Sequence, residues 1–162
     1  LEGGIEIIES VDRILCAGIP VMGHLGLMPQ SINKYGTYTV RAKEEAEAEK
    51  LLSDAVMLQE SGCFAIVLEK IPAELATKVT KALDVITIGI GAGNGCDGQV
   101  LVYQDMLNLY GGFKPKFVKN FANLGELMKA AFQEYSKEVK EGTFPAEEHT
   151  FAISDDVIEK LY

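Results

Sequence analysis

Three side chains in this sequence stand where acid–base or ligand chemistry is within reach: Glu69, His24 and Glu2. Glu69 closes the run AIVLE, with four apolar residues ahead of it and Lys70 and Ile71 behind. A carboxylate at the C-terminal mouth of a buried strand is open to desolvation, which raises its pKa and makes it a usable general base. The plainer alternative is a surface acid that leads a helix at Pro72 and pairs with Lys70. His24, in VMGHLGL, takes the corresponding place after an earlier strand, where a satisfied structural histidine is the competing reading. The Gly26, Pro29, Gln30 and Ser31 that follow it point to an ordered loop over a pocket. Glu2 lies in LEGG, whose glycines let the backbone pass close to a ligand or open a helix. Alone it is weak evidence, because a metal ligand there needs oxygen partners that the chain does not plainly supply.

The run GIGAGNGCDG, with glycines at 89, 91, 93, 95 and 98, superficially resembles a dinucleotide fingerprint. That motif needs a helix directly after the glycines to receive the pyrophosphate. Here Asp97-Gly98 reads as a turn and residues 99–103 as another strand, so the glycines are better read as a wall that lets the backbone approach a substrate. Lys114, Lys116 and Lys119 alternate with Phe113, Phe117 and Phe121. In a chain this acidic they read as a loop packing its aromatics inward rather than as a nucleic-acid surface. The acidic run at 44–49 reads as a solvated helix face.

These residues are positioned by a regular alternation of elements. Ile5, Ile7, Ile8, Val11, Ile14 and Leu15 share one helical face, closed by Gly18. Residues 19–23 form a short apolar strand, and a polar loop runs to about Ala42. A long helix over 43–61 has acids in its first turns, as the helix dipole favours. Its buried side is Leu51, Leu52, Ala55, Val56 and Leu58, and Gly62 stops it. Further apolar strands are expected at 64–68, 85–90 and 100–103. A helix from Pro72 carries Leu75, Ala76, Val79 and Leu83. Asn123 and Glu126 form a capping box for a helix over 124–141. Short, uniformly apolar strands with helices between them predict a parallel sheet buried on both faces. That is either a doubly wound sheet or a (β/α)8 barrel, and both place their sites at the C-terminal edge. Four strands cannot close a barrel that takes about 250 residues.

Composition narrows the function class. The 162 residues are 48% hydrophobic and 24% charged, which suits one packed domain of ordinary size. Twenty-four acids against fifteen Lys and Arg give a net charge of −9, which argues against nucleic-acid or anionic-membrane surfaces. It leaves anionic small substrates open, because one metal ion inverts a local field. The three cysteines, Cys16, Cys63 and Cys96, lack metal spacing and read as reduced, packed, intracellular thiols. No apolar run nears the roughly 20 residues of a bilayer span, and no secretory signal is visible. The sequence starts at Leu1, which suggests a fragment or processed piece.

The segments LEGG, GIPVMGHLGLMPQSINKYGTY, LLSDAVMLQESGCFAIVLEKIP, IGIGAGNGCDGQVLVYQDMLNL, PKFVKNF and FPAEEHTF together resemble the ketopantoate hydroxymethyltransferase family. The resemblance covers about residues 1–151 and leaves 152–162 as a tail. It implies the second half of a (β/α)8 TIM barrel within a cytoplasmic decamer, with one Mg2+ per site. It further implies transfer of a hydroxymethyl group from 5,10-methylenetetrahydrofolate to 3-methyl-2-oxobutanoate, giving 2-dehydropantoate on the route to pantothenate. Carried over by position, Glu69 is the proton acceptor, Glu2 a metal-site glutamate and His24 a substrate-binding histidine. The family's two metal-site aspartates, its substrate-binding serine and a lysine lie upstream of Leu1. The isolated chain is therefore expected to be inactive without an N-terminal half. Two alternatives are a Mg2+-dependent enolate enzyme of the phosphoenolpyruvate mutase and isocitrate lyase group, whose KKCGH-like loop is absent, and a non-catalytic fragment.

Overall fold

The computed structural model describes residues 1–161 apart from the Tyr35 side chain. Its elements alternate as the apolar pattern requires. A 3-10 turn, Ile5–Ile7, leads into α1 (Ile8–Cys16), followed by β1 (Met22–Gly26), α2 (Ile32–Tyr35), α3 (Glu45–Ser61) and β2 (Ala65–Glu69). Then come α4 (Ala73–Ala82), β3 (Ile86–Ile90), β4 (Gly98–Gln99), α5 (Tyr103–Met106), α6 (Leu124–Glu141) and α7 (Asp155–Ile158). The strands form one sheet in the order β1-β2-β3-β4, every neighbouring pair parallel. β1, β2 and β3 follow one another through helices, as a segment of a (β/α)8 barrel requires, whereas residues 91–97 join β3 to β4 without one. Among the described residues no helix is long and apolar enough to cross a membrane.

The chain divides into two compact units. The first holds the sheet, Leu1–Val102 with Pro115–Val118. Its core, Val11, Leu25, Leu51, Ala55, Leu58, Ile66, Leu68 and Val79, packs α1, α3 and α4 against one face of the sheet. Gly23 lets α3 lie directly on β1, since a Cβ there would come within 2.9 Å of Leu58. The second unit begins at Tyr103 and includes α6. There, Phe121 and Leu124 donate backbone hydrogen bonds to the Met106 and Leu107 carbonyls.

Several expectations are corrected. The first strand is Met22–Gly26 rather than 19–23. Pro20 has no amide hydrogen to give a ladder, and the register starts only at Met22↔Ala65. The last strand is Gly98–Gln99, not 100–103. Asp97 accepts hydrogen bonds from the Thr87 amide (2.8 Å) and hydroxyl (3.0 Å), which draws the chain onto β3 early. The sheet is not buried on both faces: along β1 burial alternates strictly, and Ile86 of β3 is exposed. The capping box is absent, because the Asn123 side-chain Oδ1 accepts from the Asn108 side-chain Nδ2 at 2.8 Å instead. Glu47 is more than a solvated acid, since it accepts from the Ala42 amide at 2.7 Å and pairs with Arg41. Phe113 and Phe121 are exposed rather than packed inward. Cys16 is also exposed, whereas Cys63 is buried.

Candidate active site

Moving β1 three residues along changes where His24 stands. It lies in the middle of the strand, on the face that alternates away from the helices. In the register, His24 is opposite Val67 and Gly26 is opposite Glu69, so His24 and Glu69 are diagonal neighbours on one face. On its other side His24 bridges to Glu2 in parallel, and the Gly3 amide donates to the His24 carbonyl at 3.1 Å. The three residues singled out from sequence therefore form one row across the sheet.

Within that row the imidazole sits between two carboxylates. His24 Nε2 is 3.1 Å from Glu69 Oε2, and His24 Nδ1 is 4.0 Å from Glu2 Oε1. The first contact is close but not aligned as a hydrogen bond. Nε2 is thus a buried polar atom with no hydrogen-bond partner among the described residues. Such an atom is costly unless something completes it. Glu2 Oε2 accepts from the Gln30 amide at 3.1 Å, tying the loop after β1 to the row. A cavity of about 460 Å3 opens there, lined by Leu1, Glu2, His24, Gln30 and Ser31.

The strand end that carries Glu69 is held by its backbone. The Leu27 amide donates to the Glu69 carbonyl at 2.8 Å. Lys70 adopts φ 51°, a left-handed conformation uncommon outside glycine. It is fixed there because its amide donates to Ile90, its carbonyl accepts from Arg41, and its ammonium donates to the Tyr38 carbonyl. Gly26, at φ 93°, passes so close that a Cβ would lie 2.2 Å from the Glu69 carbonyl oxygen. The glycine run after β3 also forms close contacts, since a Cβ on Gly91 would meet the Phe117 ring at 2.9 Å.

The donor set suits a hard cation only in part. Glu2 offers carboxylate oxygens of the kind Mg2+ takes. Among the described residues, however, no group of three or more His, Cys, Asp or Glu is arranged to hold a metal.

The family model for ketopantoate hydroxymethyltransferase matches residues 1–147. This chain belongs to that family. It is 57% identical over all 162 residues to the 3-methyl-2-oxobutanoate hydroxymethyltransferase of Clostridium novyi, covering 59% of that protein. The enzyme of the same name from Phocaeicola vulgatus is 62% identical over 151 residues, 93% of this chain and 55% of the relative. That of Enterococcus faecalis is 54% identical over 162 residues, again covering 59% of its length. The chain therefore spans somewhat more than half the length of these relatives. Membership in the ketopantoate hydroxymethyltransferase family sets aside the phosphoenolpyruvate mutase reading. The similarity also runs through residues 152–162, which the motif comparison leaves outside.

Sequence reasoning missed Asp54. It is a buried acid, 6% exposed, among the apolar positions Leu51, Ala55 and Leu58 of α3. The signal was available: an aspartate falls at the i+3 position after Leu51, inside an apolar stripe.

Proposed function

We propose that this chain is the second part of a 3-methyl-2-oxobutanoate hydroxymethyltransferase, and that the remaining length of its relatives supplies the other half of the barrel and site. The reading is supported by one observation above the rest. In a member of this family, Glu2, His24 and Glu69 stand in a single row on the non-helical face of the parallel sheet. The reaction class is proton abstraction α to a ketone carbonyl, followed by attack of the resulting carbon nucleophile on a one-carbon unit. The one-carbon donor is 5,10-methylenetetrahydrofolate and the product is 2-dehydropantoate.

Glu69 is the base that takes the C3 proton of 3-methyl-2-oxobutanoate. Its backbone is held on both sides and its carboxylate lies 3.1 Å from His24 Nε2, and general-base catalysis depends on placement of this kind. His24 binds substrate through Nε2, the atom left without a hydrogen-bond partner. Glu2 contributes an oxygen to a Mg2+ site, with its second oxygen steadied by the Gln30 amide. When bound, the ion supplies positive charge where the enolate oxygen develops. The same reading places the full-length enzyme in the cytoplasm as a homodecamer.

The test is hydrogen exchange at C3 of the keto acid in D2O, without folate, using the full-length enzyme. Glu69→Gln should bind Mg2+ and keto acid as wild type does and exchange no C3 proton. Unchanged exchange would remove Glu69 as the base.

A further inference from the structure

Asp54 is a charged side chain placed where a leucine would complete the apolar face of α3. Burying a carboxylate there costs desolvation unless directed bonds offset it. Both of its oxygens are used. Oδ1 accepts from the Ile5 amide at 3.2 Å, and Oδ2 accepts from Lys50 Nζ at 2.5 Å. Lys50, one turn earlier on the same helix, also reaches Glu6 Oε1 at 3.2 Å. Burial works against the Lys50 ammonium, yet its hydrogen bonds to Asp54 and Glu6 outweigh that and hold its pKa above the usual value.

The target of these bonds is the segment that carries Glu2. From Glu2 to Ile5 the backbone is anchored at two points on opposite sides. The Gly3 amide is held by the His24 carbonyl of β1, and the Ile5 amide by Asp54 of α3. Gly4, between the anchors, leaves no room for a side chain: a Cβ would come 2.0 Å from Asp54 Oδ2. Glu2 lies on the site side of this clamp and Asp54 on the helix side.

We infer that Asp54 is a positioning residue, which with Lys50 and Gly4 sets the Glu2 carboxylate in register with His24 and so determines how well Glu2 serves as a divalent-ion ligand. The inference rests on the proposed ligand role of Glu2, and the experiment separates the two. The full-length enzyme is titrated with Mn2+ as a paramagnetic stand-in for Mg2+, and bound ion is read by electron paramagnetic resonance. Asp54→Ala should weaken Mn2+ binding by about 10- to 100-fold, as loss of residues that orient metal ligands commonly does. Asp54→Asn keeps an acceptor for the Ile5 amide and should recover much of that loss. Leu58→Ala, which deletes volume from the same buried face, should lower thermal stability without moving Mn2+ affinity. Wild-type affinity in Asp54→Ala, or an equal loss in Leu58→Ala, overturns the inference. If Asp54→Ala does not fold, Gly4→Ala displaces the same carboxylate and must reproduce the loss, and wild-type binding there is equally fatal. Unchanged affinity in Glu2→Ala instead refutes the ligand reading itself.

Discussion

Glu69 and His24 approach within 3.1 Å on the open face of the sheet, and that pair carries the residue-scale argument. The place of Glu69 at the end of a strand was legible in the sequence, because the four apolar residues ahead of it mark β2. His24 was legible as a residue type but not as a position, since the strand around it was read three residues early. Asp54 was overlooked because the Ile5 amide, its long-range partner, is brought to it only by folding. Glutamine at 69 is nearly the same size as glutamate but cannot take a proton. Loss of a general base usually costs about 10²- to 10⁴-fold in rate. Glu69→Gln should therefore lower turnover by at least that range while keto-acid affinity, measured by calorimetry, stays near wild type. At Gly26 the argument is steric. A methyl group at φ 93° would strike the Glu69 carbonyl, so Gly26→Ala should lose about 1–3 kcal/mol of stability in urea unfolding and also depress kcat.

At the scale of elements, the alternation of the longer strands and helices up to β3 was readable, and two of the errors fall where a side chain takes an unforeseen hydrogen bond. β4 begins early because of Asp97, and the helix over 124–141 lacks its expected box because Asn123 is engaged by Asn108. Neither choice is visible in apolar periodicity. Asp97 offers a test through pH. The Thr87 amide and hydroxyl, donating to its carboxylate, hold its pKa below the usual value. A carboxyl whose pKa is lowered by folding stabilises the fold above its unfolded pKa, and loses that contribution as pH falls through the folded one. Wild type should thus melt higher than Asp97→Ala at neutral pH, and the gap should narrow below about pH 4, the unperturbed carboxylate range. A gap independent of pH from 7 to 3 would show that the charge on Asp97 does not hold β4.

For the whole molecule the decisive feature is the sheet's uneven burial. One face carries α1, α3 and α4, while the other presents Val67, Ile88 and the Glu2–His24–Glu69 row with incomplete cover, and Ile86 at the strand start is 58% exposed. The sequence reading of strands apolar on both sides was correct about the residues. It failed for this chain because burying the second face needs strands beyond the four present. In a closed barrel those positions are filled by inward side chains from the other strands. The sheet also ends at β4 on one side and, on the other, at the single Glu2 bridge beside β1, and short-paired strand edges beside apolar surface favour association. The 162-residue chain produced alone should accordingly run above its 17.6 kDa mass on size exclusion, bind an apolar dye and show no C3 exchange. Co-expression with the N-terminal part of a full-length relative should abolish dye binding and restore exchange that requires Glu69. A chain that is monomeric and dye-silent alone would mean its open face is satisfied from within, and the half-barrel reading of its assembly would fall.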